Sequence, residues 1–522
     1  MAIIRSPLPD VEIPDLPITS YVFEHAADFA ERTVAVDGPT GRSYSYADAL
    51  GATQLFAGGL AATGFGPGQT LAIMSPNIPE FVVAMHGALM AGGTVTTVNP
   101  TYRAEEVAFQ LRDAGARRIV TIGLFVDVAR EAGETSGLDE IIVIGDPVEG
   151  TTNFFDLLGH PPLTEHVAVD TGSVAVMPYS SGTTGFPKGV ELTHRNLVAN
   201  IEQSIPVFPL NRDQRVMAVL PFFHIYGLQV VMNATMRVGA EFVTVPRFDL
   251  EQFLGILQDQ KITLAYLVPP IILALAKHPL VDDYDLSSLE LVTSGAAPLG
   301  ADIAEAVHKR LGVDVIQGYG LTETSPVTHA GRLGVHKFGT IGPPVPNTEV
   351  RLVDPVTGED AEDGGRGEVW IRGPQVMKGY LNRPDATTAT LDDEGWLHTG
   401  DIGEVDDEGD FSIVDRLKEL IKYKGFQVPP AELEALLLTH PDIVDAAVIP
   451  IPDDEAGEIP KAFVVTKPQT SPTPESIMAF VAERVASYKQ IRALEMVDEI
   501  PKSASGKILR RVLRDRELDA AG

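Results

Sequence analysis

Between residues 46 and 122, segments with helical spacing of apolar residues alternate with short segments rich in β-branched residues. The helical spacing covers residues 46–63, 80–91 and 103–114. The β-branched segments cover residues 70–74, 94–98 and 118–122. Strands that alternate with helices pair in parallel and carry helices on both faces of their sheet. The chain is therefore predicted to be an α/β protein.

The alternation resumes after about residue 172 and changes character near residue 340. Strands are predicted near residues 215–220, 241–245, 263–267, 290–294 and 314–317. After residue 340, short strands separated by Gly, Asp and Pro indicate an antiparallel or barrel-like unit. A basic stretch and a small α+β domain follow, so we place the main boundary at 415–418. The predicted domains are residues 1–417 and 418–522.

The charge balance and the absence of cysteine exclude several classes of function. The 522 residues carry 40 basic and 72 acidic side chains, a net charge of −32, which disfavours nucleic acid and anionic membrane as partners. With no cysteine, the chain has no disulfide, zinc thiolate, iron–sulfur cluster or cysteine nucleophile. The apolar run 262–276 is too short to span a membrane. The acidic, proline-broken N-terminus is no targeting peptide, so a cytoplasmic protein is expected.

Residues 180–189 read SSGTTGFPKG and combine glycines, hydroxyl groups and one lysine, which suits the binding of phosphate oxygens. The spacing is not that of a Walker loop, which runs from its lysine into a helix. Here Pro187 precedes Lys188 and removes a backbone donor, so we predict a loop between two strands. An ordinary Gly, Ser and Thr turn is the alternative for this segment by itself.

Three further segments place polar or small residues where predicted strands end, and a fourth places a carboxylate after a turn. PFFHIYG (221–227) brings His224 and Tyr226 into apolar surroundings, as pocket-lining or as core residues. SGAAPLG (294–300) and QGYGLTE (317–323) lie where open α/β sheets bind ligands, and Glu323 is a candidate Mg²⁺ ligand. In TGD (399–401), Asp401 suits a pair of ribose hydroxyls. Tight turns are the alternative for the last three segments.

Two groups of basic residues contrast with the acidity of the chain. They comprise Arg416, Lys418, Lys422 and Lys424, and then Lys502, Lys507, Arg510 and Arg511. A solvated basic face is the usual explanation for such runs. Lys507, however, follows Ser505 and Gly506 on a predicted turn before a helix, so we predict that it can enter and leave a site.

In their order along the chain, these segments resemble the adenylate-forming superfamily of acyl-CoA synthetases and luciferases. The segments are SSGTTGFPKG, PFFHIYG, SGAAPLG, QGYGLTE, GEVWIRGP, HTGD, DRLKELIKYKGFQV and PKSASGKILRR. The resemblance covers about residues 20–511 and looks closest to the 4-coumarate–CoA ligase-like acyl-CoA synthetases. It implies a large N-terminal domain, with two α/β subdomains and a distorted β-barrel, and a small mobile α+β C-terminal domain.

The resemblance also implies a two-step reaction with ATP, CoA and Mg²⁺. A carboxylic acid attacks ATP to give acyl-AMP and pyrophosphate, and CoA then displaces AMP. The implied acid is 4-coumarate or a related cinnamic or aryl acid. Thr293 and Thr328 stand where plant relatives often have larger apolar residues, so a medium- or long-chain fatty acid is an alternative. The oligomeric state is expected to be monomer or homodimer.

The residue roles are implied by the matching motifs. The phosphate-binding residues would be Ser180, Ser181, Gly182, Thr183, Thr184 and Lys188, with Thr184 and Glu323 near Mg²⁺. The adenylate would contact Ala296, Gln317, Gly318, Tyr319, Thr322, Asp401, Arg416 and Lys507. The acyl pocket would comprise His224, Tyr226, Thr293, Ala296, Gly320, Pro326 and Val327. CoA would contact Arg247, Lys424 and Gly425, and the hinge region would contain Lys418 and Lys422.

Two other functions compete with acyl-CoA synthesis. An adenylating enzyme can pass its acyl group to a carrier protein or oxidise it. The chain stops soon after the Lys507 segment, so no fused carrier domain is expected. A non-catalytic nucleotide-binding protein would be expected to lack Lys507, Glu323 or Asp401, and all three are present.

Overall fold

The computed structural model describes residues 3–180, 187–362, 365–424, 426–453, 455–468, 470–503 and 506–521. Within these ranges the chain forms four β-sheets connected by helices. Two sheets are mainly parallel and two are mainly antiparallel, which confirms the predicted α/β fold with a further antiparallel unit and a small C-terminal domain.

The first sheet has eight strands among the described residues and is parallel except at one edge. In spatial order its strands are Gly379–Tyr380, Lys188–Thr193, Val174–Ser180, Thr94–Thr97, Thr70–Met74, Ala116–Ile122, Glu140–Ile144 and Thr152–Asn153. The helices that accompany it in sequence are Tyr46–Ala62, Glu80–Met90, Ala104–Asp113, Val126–Ser136 and Phe154–Leu157. The helix at residue 46 begins at a capping box, in which Ser45 and Asp48 exchange hydrogen bonds.

The second sheet also has eight strands in the described part of the chain, six of them parallel. They run in the order Val327–Ala330, Asp314–Gly320, Leu291–Ser294, Leu264–Leu267, Arg215–Ala218, Glu241–Thr244, Thr33–Asp37 and Ser43–Ser45. Nearby in sequence are the helices Ile18–Phe23, His194–Ser204, Ala234–Arg237, Leu250–Asp259, Pro269–Lys277 and Ala301–Leu311, and a π-helix at Tyr226–Asn233. The strands predicted from residue 215 to residue 317 are confirmed.

The third sheet is antiparallel and matches the unit predicted after residue 340. Its strands, in order, are Ile4–Arg5, Glu349–Val353, Gly367–Arg372, Leu397–Val405 and Phe411–Arg416. The helix Pro384–Thr390 lies between Gly367–Arg372 and Leu397–Val405 in sequence. Val350, Val369 and Phe411 are fully buried in a core of its own. This sheet delivers Asp401 and Arg416 as paired residues on neighbouring strands.

The small C-terminal domain has a separate hydrophobic core. Its strands are Ile421–Tyr423, Phe426–Val428, Ile443–Asp453, Gly457–Thr466 and Ala493–Met496, and its helices are Pro430–Leu438, Pro474–Ala482 and Arg510–Ala521. Leu433, Val448, Val464 and Ile477 are fully buried in that core. The separate core supports a division near residue 417, and the exact boundary stays a prediction.

Among the described residues, several contacts hold the small domain against the rest of the chain. Lys277 Nζ donates to the Leu438 carbonyl at 2.7 Å, and the Ala431 amide donates to Asp415 Oδ2 at 2.9 Å. A Cβ placed on Gly300 would lie 3.7 Å from the Ala435 Cβ, so this helix approaches closely. Among the helices of the described residues, none has the length and apolarity needed to cross a membrane.

Candidate active site

The Glu323 carboxylate accepts hydrogen bonds from hydroxyl groups on two strands of the first sheet. Ser180 Oγ donates to Glu323 Oε1 at 3.2 Å, and the Tyr380 hydroxyl donates to the same oxygen at 2.7 Å. The Lys188 ammonium lies 4.0 Å from the centroid of the Tyr380 ring, in a cation–π contact. Buried Glu323 therefore lies near Ser180 and Lys188, at the two ends of the glycine-rich segment 180–189.

The structure describes the two ends of the segment 180–189. Ser181, Gly182, Thr183 and Thr184 lie outside the described residues, as does Gly425. Ser180 and Lys188 are opposite each other in an antiparallel pair of strands. The predicted strand on either side is therefore confirmed, and the phosphate-binding roles stay predictions.

Asp401 is the centre of a second polar group. Its Oδ2 accepts a hydrogen bond from the Tyr319 hydroxyl at 2.6 Å, and its Oδ1 accepts one from Arg416 Nε at 3.1 Å. The Thr399 hydroxyl accepts from the Asp401 amide at 3.0 Å, which fixes the turn before it. The second and third sheets are thus joined through one carboxylate.

Burial is the largest influence on the pKa values of Asp401 and Tyr319. It raises the pKa of Asp401, against the opposing effect of the Arg416 charge and the Tyr319 hydrogen bond. Burial, reinforced by Asp401, raises the pKa of Tyr319 well above its ordinary value. The Asp401 charge raises the pKa of Arg416, so the guanidinium stays a permanent cation here.

Lys507 reaches this centre from the small domain. Its ammonium interacts electrostatically with Arg416, Glu323 and Asp401, and it also affects His224. Burial and the Arg416 charge lower the pKa of Lys507, while the two carboxylates oppose that shift. A residue from the last 20 positions of the chain thus interacts electrostatically with residues of the large-domain motifs, and its movement into and out of the site stays a prediction.

The turn before Lys507 packs directly on the large domain. Gly506 has a φ of +78°, and a Cβ there would approach the Val268 side chain to 3.3 Å. Two other members of the basic group that contains Lys507 form ion pairs within the chain. Lys502 pairs with Asp445 at 2.6 Å, and Arg510 pairs with Glu419 and Glu434. These two basic residues therefore tie the small domain together instead of facing a ligand.

His224 is an uncharged residue of the site. Burial, with a smaller effect of the Lys507 charge, lowers its pKa to about 3. Its Nδ1 accepts a hydrogen bond from the Tyr226 amide at 3.2 Å, which leaves the proton of the neutral ring on Nε2. The imidazole therefore contributes a polar but neutral wall beside Lys507.

Three buried hydroxyl groups lie together at the ends of the second sheet. Tyr266 and Thr293 are paired on adjacent parallel strands, and the Tyr226 and Tyr266 ring centroids are 6.1 Å apart. Within the described residues, the hydroxyls of Tyr226, Tyr266 and Thr293 have no hydrogen-bond partner. An unpaired buried hydroxyl is costly, so this group is suited to a polar ligand atom.

Glycine is required at two positions around these hydroxyls. A Cβ on Gly295 would lie 2.6 Å from the Tyr226 ring, and a Cβ on Gly320 would lie 1.8 Å from the Pro326 carbonyl oxygen. Both distances are too short for any side chain. Gly295 therefore allows the Tyr226 ring to approach the main chain closely, and Gly320 allows the same for the Pro326 carbonyl.

The other predicted adenylate and acyl residues lie on the same strand ends. Gln317 Oε1 accepts from the Leu299 amide at 3.0 Å, and Ala296 has a φ of 70° in the intervening turn. The Val327 amide donates to Asn200 at 3.0 Å. Gly318 and Thr322 lie on either side of Tyr319 and Gly320, at the end of the strand and in the turn that follows it.

The predicted CoA and hinge residues lie on the surface. Arg247, Lys418, Lys422 and Lys424 are exposed. Lys424 has a φ of 49°, and its amide donates to the Ala456 carbonyl at 2.8 Å. Their roles toward CoA and in hinge motion stay predictions.

Two site residues were not identified from the sequence. Tyr380 belongs to a strand of two residues and meets Glu323 only through long-range pairing, so nothing local marks it. Tyr266 has a usable signal, because it comes near the carboxyl end of the strand Leu264–Leu267 in an open sheet.

Comparisons with known proteins identify the family. Residues 22–381 match the AMP-binding enzyme family, and residues 432–507 match the AMP-binding enzyme C-terminal domain. The chain is 44% identical to a 4-coumarate–CoA ligase of Pinus taeda, covering 98% of this chain and 97% of that protein. It is 45% identical to 4-coumarate–CoA ligase 2 of Nicotiana tabacum, covering 98% and 96% respectively.

Solved structures agree with this assignment. An anthranilate CoA ligase in complex with anthranoyl-AMP superposes with a TM-score of 0.92 at 29% identity, covering 98% of this chain and 99% of that one. A benzoate CoA ligase from Burkholderia xenovorans gives a TM-score of 0.88 at 27% identity, over 96% and 100% of the two chains. The chain therefore belongs to the AMP-binding, adenylate-forming enzymes and is similar over nearly its whole length to 4-coumarate–CoA ligases.

Proposed function

We propose that the protein is an ATP-dependent, AMP-forming acid–CoA ligase that acts on 4-coumarate or a close hydroxylated relative. The observation that carries the proposal is the hydrogen-bonded group of Tyr319, Asp401 and Arg416. Lys507 interacts electrostatically with this group and with Glu323. Cations and carboxylates from three parts of the chain converge there. Similarity to 4-coumarate–CoA ligases at 44–45% identity supports the choice of acid and acceptor.

In the first step, a carboxylate oxygen of the acid forms a bond to the α-phosphorus of ATP. The bond from that phosphorus to the bridging oxygen breaks, and pyrophosphate leaves with both electrons. Negative charge on the α-phosphate oxygens is stabilised by Lys507, which is held in place before the reaction begins. Asp401, oriented by Arg416 and Tyr319, accepts hydrogen bonds from the ribose hydroxyls.

Glu323 is the described residue best suited to hold Mg²⁺. Its carboxylate and the neighbouring hydroxyls of Ser180 and Tyr380 form an oxygen-rich set, which hard cations prefer. When bound, Mg²⁺ would neutralise charge on the phosphates. Lys188 and Ser180 would then hold the departing pyrophosphate from the two ends of the glycine-rich segment.

In the second step, the CoA thiolate attacks the acyl carbon and displaces AMP. His224 is neutral and therefore adds no positive charge to the site during this step. Because Lys507 occupies the site that CoA chemistry needs, the small domain must swing before this step. That motion would exchange Lys507 for the exposed stretch around Lys422 and Lys424.

The buried hydroxyl groups favour a hydroxylated aromatic acid over a fatty acid. Tyr226, Tyr266 and Thr293 would each remain unpaired against an aliphatic tail, whereas a phenolic hydroxyl can donate to one of them and accept from another. A site built to bind a hydroxyl discriminates strongly against an analogue that lacks it.

The test is the rate of acid-dependent AMP release and CoA thioester formation with 4-coumarate, cinnamate and octanoate. We expect kcat/KM to be highest for 4-coumarate, and replacement of Tyr266 by Phe to lower it about tenfold for 4-coumarate but not for cinnamate. Tyr284→Phe, outside the pocket, is the matched control. A preference for octanoate would reject the proposed acid, and acyl-AMP without thioester would reject CoA as the acceptor.

A further inference from the structure

His308, Asp314 and His336 come together away from the proposed reaction centre. His308 lies near the end of the helix Ala301–Leu311, Asp314 begins the strand Asp314–Gly320, and His336 lies in the connection after the strand Val327–Ala330. One ligand atom from each lies within 4.8 Å of the others. We infer that these side chains bind a transition-metal ion of the zinc type, independently of the ligase reaction.

The orientation of His308 supports a metal ligand. Its Nδ1 lies 2.7 Å from the carbonyl oxygen of Val313, and a carbonyl only accepts, so Nδ1 carries the proton. The lone pair of the neutral ring is then on Nε2. A histidine that donates one ring N–H to a backbone carbonyl while the other nitrogen is free has the usual orientation of a metal-bound histidine.

His336 completes the group from the other side. Its Nδ1 lies 3.5 Å from Asp314 Oδ1, and its ring centroid is 4.4 Å from that of His308. Two imidazole nitrogens and one carboxylate oxygen are a common ligand set for zinc and its neighbours. Ligand atoms around a tetrahedral zinc are about 3.3 Å apart, so modest side-chain rotations would close the site.

The surroundings favour a cation. The nearby Lys337 is paired with Asp406, Glu408 and Asp410, and Lys309 is paired with Glu305, so both ammonium charges are compensated. The His336 side chain is 44% exposed, which leaves the ion accessible and its remaining positions open to water. A plain histidine–aspartate pair is the competing explanation, and it predicts no metal affinity.

A metal here would connect three segments of the second sheet region. The helix end, the strand start and the following connection would share one ion. Tyr319 lies five residues along the strand from Asp314, roughly 17 Å away, so the ion would act on stability and not on the reaction. Binding to the folded state alone raises the unfolding temperature with metal concentration.

The test uses full-length protein without a polyhistidine tag, treated with a chelator and then dialysed. We expect Co²⁺ to bind with a stoichiometry of one per chain and to give a visible d–d absorption band, which Zn²⁺ abolishes and Mg²⁺ does not. Zn²⁺ should raise the unfolding temperature of this protein. His336→Ala and Asp314→Asn should each weaken Co²⁺ binding at least tenfold.

His160→Ala, at a partly exposed histidine elsewhere, is the control and should bind Co²⁺ like the parent. Because His336 is exposed, His336→Ala should fold and keep full ligase activity, which separates lost metal binding from lost structure. Equal Co²⁺ affinity in the His336→Ala and parent proteins, or no band in the parent, would overturn the inference. Loss of ligase activity in His336→Ala would overturn its independence from the reaction.

Discussion

Two carboxylates of the proposed active site, Glu323 and Asp401, are buried, and the cations Arg416 and Lys507 beside them are partly buried. Lys507 is stabilised by Glu323 and Asp401, while burial and Arg416 act against its charge. Such groups cost free energy to bury and are retained where the charge is used. The pairing therefore supports a role of Lys507 in charge stabilisation during adenylation.

We expect Lys507→Ala to lower acid-dependent pyrophosphate release by at least about 10²–10³-fold, because the cation that meets the α-phosphate is lost. Thioester formation from supplied acyl-AMP and CoA should be largely unchanged. Pyrophosphate release and thioester formation are measured separately. Lys502→Ala, which removes an ammonium paired with Asp445, is the control. Equal losses in both half-reactions would contradict the assigned role.

At the level of elements, Asp415 joins the third sheet to the first helix of the small domain. It is the second-last residue of the strand Phe411–Arg416, and it accepts from the amide of Ala431 in the first turn of the helix Pro430–Leu438. Burial raises its pKa to about 7, although the Ala431 amide opposes this shift. The carboxyl group is therefore a pH-sensitive connection.

Because the folded pKa of Asp415 lies above its unfolded value, its contribution to stability is fully present below about pH 4 and is lost as the pH rises to about 7. Asn cannot ionise. We expect the unfolding temperature of Asp415→Asn to rise relative to the parent between pH 4 and 7, and the difference then to level off. Calorimetry across this range measures it. The exposed Asp393→Asn control should parallel the parent, and a parallel Asp415→Asn curve would refute the assignment.

At the scale of the whole molecule, the small domain places Lys507 in the large domain by packing one helix beside Gly300. In the proposed mechanism, adenylation requires this arrangement, and CoA attack requires Lys507 to leave. The chain has no cysteine, so an engineered pair is the only disulfide it can form. The geometry offers such a pair, since a Cβ on Gly300 lies 3.7 Å from the Ala435 Cβ, near the mean separation of about 3.8 Å in disulfides.

We expect oxidised Gly300→Cys/Ala435→Cys protein to release about one pyrophosphate per chain and then to form little thioester, because the domain cannot swing. Reduction should restore turnover. Rapid-quench assays of both products check this, with each single cysteine variant as the control. Full CoA thioester turnover by the oxidised double variant would show that the domain need not move.

Much of the fold and part of the site follow from local sequence. Helices such as Tyr46–Ala62 and strands such as Thr70–Met74 were predicted within a few residues, because apolar periodicity and capping act over short distances. Tyr226 and Glu323 were singled out because they follow predicted strands, where open sheets bind ligands. Asp401 was singled out as a carboxylate after a turn, and it lies inside the strand Leu397–Val405. Arg510 was grouped with Lys507 as one of a run of basic residues, and its pairing with two buried carboxylates appears only in the folded chain.

The sequence alone determined the class of the protein, the order of its motifs and the identity of most proposed site residues, since these depend on neighbours along the chain. The tertiary structure decided which side chains meet. It brought Tyr380 to Glu323, left the buried hydroxyls of Tyr226, Tyr266 and Thr293 unpaired among the described residues, and gathered His308, Asp314 and His336. These contacts join residues that are far apart in sequence. The residues next to a side chain along the chain do not determine which distant residue it will contact.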